Sequence, residues 1–356
     1  MNILFINTSK SWGGNEKWTF LAAHALSSRH NVHLAYRSHE LSKSWAVPIK
    51  KRFPFYNRFD CLTLFWLARY LKKNKIDIVV STNRKYFQLG GLAARLAGCK
   101  HFVRCGIVWS IPNNVYYKLL FTKLIDGILV NAFSIKDELL KTDFIAEEKV
   151  HVIYNAVDMD KLDRAQGVSA DKPFPFTVIS SGELVPRKGF GLLIESFAQF
   201  LKAYGIQDAG LIIIGKGRQE NELKTLSEKH GIADKTIFTG WQDNPYPLLC
   251  QADLFVSLSR NEGISNALLE AMYLKVPIIS TSAGGTKEIV SHGYNGFLVE
   301  RADVETLVVL YKKVYQLDQL GRNNMVLAAR ETVLEHFSTQ QMVSSLEEVF
   351  RTSKHS

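Results

Sequence analysis

A chain of 356 residues with 46% hydrophobic content can bury a large core and exceeds the size at which one core usually splits, so two domains are expected. Its 44 lysines and arginines against 34 acids leave a net charge of +10, which favours nucleic acid, phosphorylated metabolites or an anionic membrane without choosing among them. Four cysteines, Cys61, Cys99, Cys105 and Cys250, have neither CxxC spacing nor the density of a disulfide scaffold, so they read as thiols in a reducing compartment and exclude a structural zinc.

The opening MNILFINTSK is a short apolar strand with no basic leader or cleavage site, and no later apolar run reaches the roughly eighteen residues of a spanning helix, so a soluble, unprocessed protein is expected. Strand-length apolar runs follow, NILFIN, NVHLAY, IDIVVS, HFVRC, DGILVN and VHVIYN, separated by amphipathic segments such as DCLTLFWLARYLKKN. Such alternation predicts βαβ units and a parallel sheet covered on both faces. After Asn155 the stretch AVDMDKLDRAQGVSADKPFPF is polar, lacks either period and reads as an interdomain linker. The alternation then restarts with FTVISSG, GLIIIG, KTIFTG, DLFVSLS, PIISTS and GFLVE, and from Asp303 only helical patterns remain. The expected fold class is therefore α/β, two Rossmann-like doubly wound parallel-sheet domains facing a central cleft. Residues 1–160 form the first and 161–337 the second, with a terminal helix in 338–356 packing back on the first.

In open α/β sheets ligands bind outside the carboxyl ends of the strands, so the loops after strands carry the candidates. In NTSKSWGGNEKW, Gly13 and Gly14 open a helix N-terminus where backbone amides favour an anion, although a tight turn explains them too. GxGxxG is absent and no acid ends the second strand, which excludes a dinucleotide fingerprint. In SSGELVPRKGF, Arg187 and Lys188 combine a forked guanidinium with a mobile ammonium ahead of a helix, suited to a diphosphate; a surface charge pair is the alternative. Gly215, Gly217 and Gly240 end strands, and Thr239, Gly240 and Trp241 could offer main-chain groups to a nucleobase, though ordinary strand-ending glycines explain these equally well.

The stretch SRNEGISNALLEAM places Glu262 on a loop beside Gly263, Ser265 or Asn266 as N-cap, and Glu270 about one turn inside the helix. The amides of Gly263, Ile264, Ser265 and Asn266 would point at an anion. Structurally, Glu270 could instead serve the helix dipole and Glu262 could be a solvated loop acid. A glycosidase would need two carboxylates roughly 5 to 9.5 Å apart across a bond. Eight helical steps span about 12 Å, which suits holding two parts of an elongated ligand better.

Together, GGNEKW, RKG, EGISNALLEAM and the following STSAGGTKEIVSHGYNGFLV resemble glycosyltransferase family 4, retaining enzymes of GT-B architecture that use nucleotide sugars. The resemblance covers nearly the whole chain and is strongest from Thr177 to Glu300. It implies catalytic roles for Arg187, Lys188 and Glu262, the two cations holding the diphosphate and stabilising the leaving group. It implies that Glu270 binds the ribose, that Glu262 with the amides of Gly263, Ile264 and Ser265 faces the sugar and phosphate, and that Gly14 lets the first domain close over the reacting carbon.

Two departures stand out. Where the family commonly has a histidine after the strand HFVRC, this chain has Arg104, Cys105 and Gly106, so Arg104 is a candidate donor or acceptor contact and His101 reads as structural. Asn155-Ala156 replaces an asparagine-glycine pair. DMD at Asp158–Asp160 lies at the start of the linker, not at a site floor; no metal cofactor is expected, since cations and helix ends can replace one.

Expected partners are the nucleotide sugar donor, a glycan or lipid-linked acceptor and an anionic membrane surface, with no specific nucleic acid because no recognition module accompanies the charge. In PIKKRFPFYNRFDCLTLFW, Lys50, Lys51, Arg52 and Arg58 interleave with Phe53, Phe55, Tyr56 and Phe59, a pattern that suits anionic lipid or a connecting loop with inward aromatics. A cytoplasmic enzyme, peripheral on the inner face of the cytoplasmic membrane, is expected. It would act in lipopolysaccharide or envelope polysaccharide synthesis, with a sugar-nucleotide epimerase as the alternative.

Overall fold

The alternation of apolar runs and helices produces two all-parallel sheets in the computed structural model, which describes residues 1–9, 12–38, 47–168, 171–300 and 302–353. The chain divides into two units, Met1–Ala156 joined by the terminal stretch from Thr339, and Val157–Ser338. The unit boundary thus falls four residues ahead of position 160.

In unit 1 the strands are β1 (Asn2–Asn7), β2 (Asn31–Tyr36), β3 (Ile49–Arg52), β4 (Ile78–Ser81), β5 (Lys100–Cys105), β6 (Gly127–Val130) and β7 (Val150–Val152). They lie in the order β3-β2-β1-β4-β5-β6-β7. Successive side chains of a strand point to opposite faces, and β1 is buried on both. Ile3 and Phe5 join a cluster with Trp18, Leu346 and Phe350, whereas Leu4 and Ile6 join Leu67, Leu71 and Leu89. The first of these clusters explains where the last helix goes. In Thr339–Thr352, Met342, Val343, Leu346 and Phe350 fall on one stripe, and Phe350 meets Phe102 edge to face at 5.1 Å.

Unit 2 contains β8 (Phe176–Ser181), β9 (Ala209–Ile214), β10 (Thr236–Gly240), β11 (Leu254–Ser257), β12 (Ile278–Thr281) and β13 (Phe297–Val299), ordered β10-β9-β8-β11-β12-β13. Both sheets therefore have the Rossmann-like order expected. In each, winding reverses beside the first strand, between β1 and β4 and between β8 and β11, and at such a switch point the loops leaving the carboxyl ends diverge and open a crevice.

Two readings of the sequence are corrected. The basic run around Lys50 forms β3, an edge strand whose Lys50, Lys51 and Arg52 are exposed, so it shows no apolar signature. The stretch after Asn155 holds a helix, Met159–Gln166, capped by Asp158, which accepts a hydrogen bond from the Lys161 amide at 3.0 Å. The helix is short and buries only Leu162 and Ala165, too little to reveal a period. Lys10 and Ser11 of the first loop, Ser169 and Ala170 of the linker and residues 354–356 lie outside the described residues.

His101, second in β5, is buried. Its Nδ1 lies 2.7 Å from the Leu124 carbonyl, which can only accept, so Nδ1 carries the proton and Nε2 accepts from the Ser81 hydroxyl at 2.8 Å. Burial pushes its pKa down to about 4. Between that value and the ordinary 6.5 the unfolded chain binds more protons than the folded one. The contribution is therefore full above 6.5 and is lost as pH falls toward 4, by about 3 kcal/mol at 1.36 kcal/mol per pH unit. Urea unfolding from pH 7 to 4 should show this loss, and His101→Gln should flatten the slope.

Candidate active site

In unit 2 the loop after β8 makes one tight turn, Pro186–Lys188, and enters the helix Phe190–Tyr204 through Gly189. The loop after β11 carries Glu262 and Gly263 to the helix Asn266–Tyr273, whose N-cap Ser265 makes no side-chain capping bond. Because β8 and β11 are neighbours, the two loops lie side by side, and the Arg260 amide donates to the Arg187 carbonyl at 2.8 Å. Lys188 Nζ donates to Glu262 Oε1 in a close ion pair, and Arg187 Nη1 stands 3.8 Å from the same oxygen. Arg187 Nη2 also lies 3.6 Å from Glu183. The side chains of Lys188 and Glu262 are mostly shielded from water, so their attraction is less screened than that of a surface pair.

The structure thus joins three residues that the sequence had separated into a diphosphate group and a sugar group. A carboxylate lies where two cations converge, which is the geometry of a site able to take an anion in its place. Glu270 is the fifth residue of its helix and only 5% exposed, in a run buried from Leu268 to Tyr273. Ile264 and Ser265 are buried, while Asn266 is half-buried.

The Glu262 loop is held from the side by a residue that was quoted in the sequence but given no role. Gly284, after β12, adopts φ 58°, and a Cβ there would overlap the Glu262 carbonyl oxygen. The next residue, Gly285, donates its amide to the Gly263 carbonyl at 3.1 Å. Gly215 and Gly217 serve a similar close approach, each lying against backbone of the β8 loop at Gly182 and Leu184. Gly215 also donates to the Gly240 carbonyl at 2.9 Å. Beside it, Thr239 is half-buried, and Trp241 presents an exposed indole whose Nε1 donates to Asp243 at 2.9 Å.

Unit 1 gathers a second polar cluster at its own switch point. Gly13 caps the helix Gly14–Leu26 in an extended conformation that any residue can adopt. Arg104, only 6% exposed, donates from Nη1 to Asn15 at 2.7 Å and from Nη2 to Asn155 at 3.0 Å, with its guanidinium 4.6 Å over the Trp18 ring. Burial pushes its pKa down to about 10, opposed by Glu16, so it stays charged at neutral pH. Glu16 accepts from Asn7 and from the Ser9 hydroxyl, and Asn15 donates to the Thr82 carbonyl at 2.6 Å. Arg104 therefore ties together the ends of β1, β4, β5 and β7. Asn15 and Asn155 were legible only as neighbours of the double glycine and of the linker.

Of the DMD acids, Asp158 is engaged as a helix cap. Among the described residues no three histidine, cysteine or acidic side chains converge as a metal-binding set.

The family profile described as Glycosyltransferase Family 4 matches residues 12–161, and that described as Glycosyl transferases group 1 matches residues 162–332. The chain is 29% identical over 236 residues to the lipopolysaccharide core biosynthesis glycosyltransferase LpsE of Rhizobium meliloti (strain 1021), spanning 64% of this chain and 65% of that relative's length. It is 26% identical over 310 residues to the Escherichia coli UDP-Gal:alpha-D-GlcNAc-diphosphoundecaprenol alpha-1,3-galactosyltransferase, covering 82% of this chain and 79% of that one. Its fold is similar to that of Anabaena Alr3699/HepE, solved in complex with UDP, with a TM-score of 0.83 at 18% identity over 99% of this chain and 100% of the other.

Gly284→Ala should destabilise unit 2 by at least about 1 kcal/mol, because a side chain is strained at that φ and the new methyl must displace Glu262. Denaturant unfolding checks this, and unchanged stability would show that the loop gives way freely.

Proposed function

Because the chain belongs to glycosyltransferase family 4, we propose that it moves a sugar from a nucleoside diphosphate sugar to a glycan or lipid-linked acceptor. The observation that carries this reading is the cluster of Lys188, Arg187 and Glu262 at the switch point of unit 2. The donor's diphosphate takes the place of the Glu262 carboxylate on Lys188 and Arg187. Glu262, released from the pair, turns its acceptor oxygens to the sugar hydroxyls. The fixed cations stabilise the charge that develops as the diphosphate leaves, the kind of interaction that grows in the transition state. Glu270 accepts from the ribose hydroxyls, and the indole of Trp241 flanks the base.

Arg104 acts in this reading as a positioning residue, with its N–H groups on Asn15 and Asn155. Anomeric configuration is retained, and the cations do the work of a metal. The acceptor is an envelope glycan precursor on a lipid carrier, and the protein works from the cytoplasm, peripheral on the inner face of the membrane. Support for that setting comes from relatives named for lipopolysaccharide core synthesis and for a diphosphoundecaprenol acceptor. Among the described residues no helix is long and apolar enough to cross a membrane.

The test is a panel of nucleoside diphosphate sugars with and without acceptor. Acceptor-dependent release of nucleoside diphosphate supports transfer, whereas epimerised sugar formed without acceptor supports an epimerase of the same architecture. Product NMR showing inverted configuration would remove retention, and activity abolished by chelator and restored by a divalent cation would remove metal independence. Lys188→Ala should fold normally and lose about 10²- to 10³-fold in kcat. Glu262→Gln should bind free nucleoside diphosphate several-fold more tightly, since no carboxylate competes, while transferring sugar more slowly. Calorimetric titration beside the rate assay separates the two effects, and unchanged affinity in Glu262→Gln would show that the carboxylate does not compete.

A further inference from the structure

Residues 48–125 contain fifteen lysines and arginines against two acids, Asp60 and Asp77, a net +13 where the whole chain carries +10. One of those acids is turned inward: Asp60 caps the helix Cys61–Lys73 through the Thr63 amide at 2.9 Å and also accepts from the Tyr56 amide at 3.0 Å. The interleaved aromatics of this region divide in two. Phe53 and Phe55 are buried, while Tyr56 and Phe59, on the loop that Asp60 fastens, are exposed.

The helix that follows is apolar on both sides. Thr63, Leu67, Ala68 and Leu71 face the core, and Leu62, Phe65 and Trp66 face outward, with Phe65 and Trp66 at 61% and 51% exposure. Arg69 and Lys73 continue the same outer stripe at helical spacing. A surface helix ordinarily turns a polar face to water. Beyond the helix Phe87–Ala97, which packs against both, the helix Val115–Lys123 exposes Val115, Tyr116 and Leu119. From the loop ahead of the helix Cys61–Lys73, Arg58 reaches the Tyr116 hydroxyl, which also donates to Gln88 at 3.2 Å. The result is two exposed apolar groups of eight large side chains, Tyr56 to Trp66 and Val115 to Leu119, linked through Arg58 and accompanied by exposed Arg69, Lys72, Lys73 and Lys118.

We propose that this face of unit 1 docks on an anionic lipid bilayer, with Phe59, Phe65 and Trp66 inserted among the headgroups and the basic rim on the lipid charges. Charge complementarity selects the occupant: an apolar patch alone would fit another protein or a second copy, but a second copy would set this rim against an identical one. Aromatic side chains settle at the headgroup level, and each lysine or arginine near an anionic surface adds attraction. The loop is fixed before binding by Asp60 and by the Tyr86 hydroxyl, which donates to the Phe55 carbonyl at 2.6 Å, so little ordering opposes docking. This inference deepens the lipid-linked acceptor reading and rests on it for its purpose, not for its observations.

The experiment is sedimentation of the intact 356-residue chain with phosphatidylglycerol vesicles and with phosphatidylcholine vesicles, at low and high salt and without donor or acceptor. The wild type should bind the anionic vesicles at least tenfold better than the neutral ones, and salt should weaken it. Phe65→Ser/Trp66→Ser should lose at least tenfold in binding while keeping its circular dichroism and its thermal stabilisation by nucleoside diphosphate. Arg69→Glu/Lys73→Glu should lose as much with the aromatics intact. No preference for anionic vesicles, equal binding by the variants, or a dimer that these substitutions dissolve would each overturn the proposal. Transfer to a water-soluble acceptor is measured separately, so loss of docking and loss of the glycosyltransferase reading give different results.

Discussion

The placement of Lys188 against Glu262 depends on one constraint, the parallel pairing of β8 with β11. That pairing puts a loop ending in two cations beside a loop carrying a carboxylate, although the residues lie 74 positions apart. Parallel neighbours need a long crossover, usually through a helix; β8 and β11 each hand their loop to a helix start, and at the reversal of winding these two starts lie side by side. Two backbone contacts hold these loops in place. The Arg260 amide on the Arg187 carbonyl sets the spacing, and Gly284 presses on the Glu262 carbonyl from the far side.

Unit 1 solves the same geometric problem with different chemistry. Its reversal, between β1 and β4, is filled by a buried guanidinium whose hydrogen bonds run to Asn15 and Asn155 and whose face lies on Trp18. A buried charge is tolerable only when paired and hydrogen-bonded, and here Glu16 with its own donors completes the arrangement. One unit therefore presents a partly shielded ion pair and the other a closed hydrogen-bonded network.

Much of this was legible in the chain because its causes are local. Buried parallel strands need continuous apolar runs, so β1 or β11 announces itself, and of the two caps the sequence offered, Ser265 and Asn266, the structure takes Ser265. What escaped has equally physical reasons. The edge strand β3 faces water and shows charge in place of pattern, and the helix after Asn155 buries two side chains only. The ion pair of Glu262 with Lys188 is a product of topology, which no spacing within either loop encodes. The role of Gly284 shows only when the Glu262 carbonyl is seen against it. The sorting of Phe53 and Phe55 inward from Tyr56 and Phe59 outward likewise turns on Asp60, whose carboxylate fastens the loop.

The most direct test of the central claim is a crystal structure of the protein with a bound nucleoside diphosphate. The account predicts the diphosphate within hydrogen-bonding distance of Lys188 Nζ and the Arg187 guanidinium, the Lys188–Glu262 pair opened, and the ribose on Glu270. A nucleotide bound elsewhere, with Lys188 and Glu262 still paired, would contradict it.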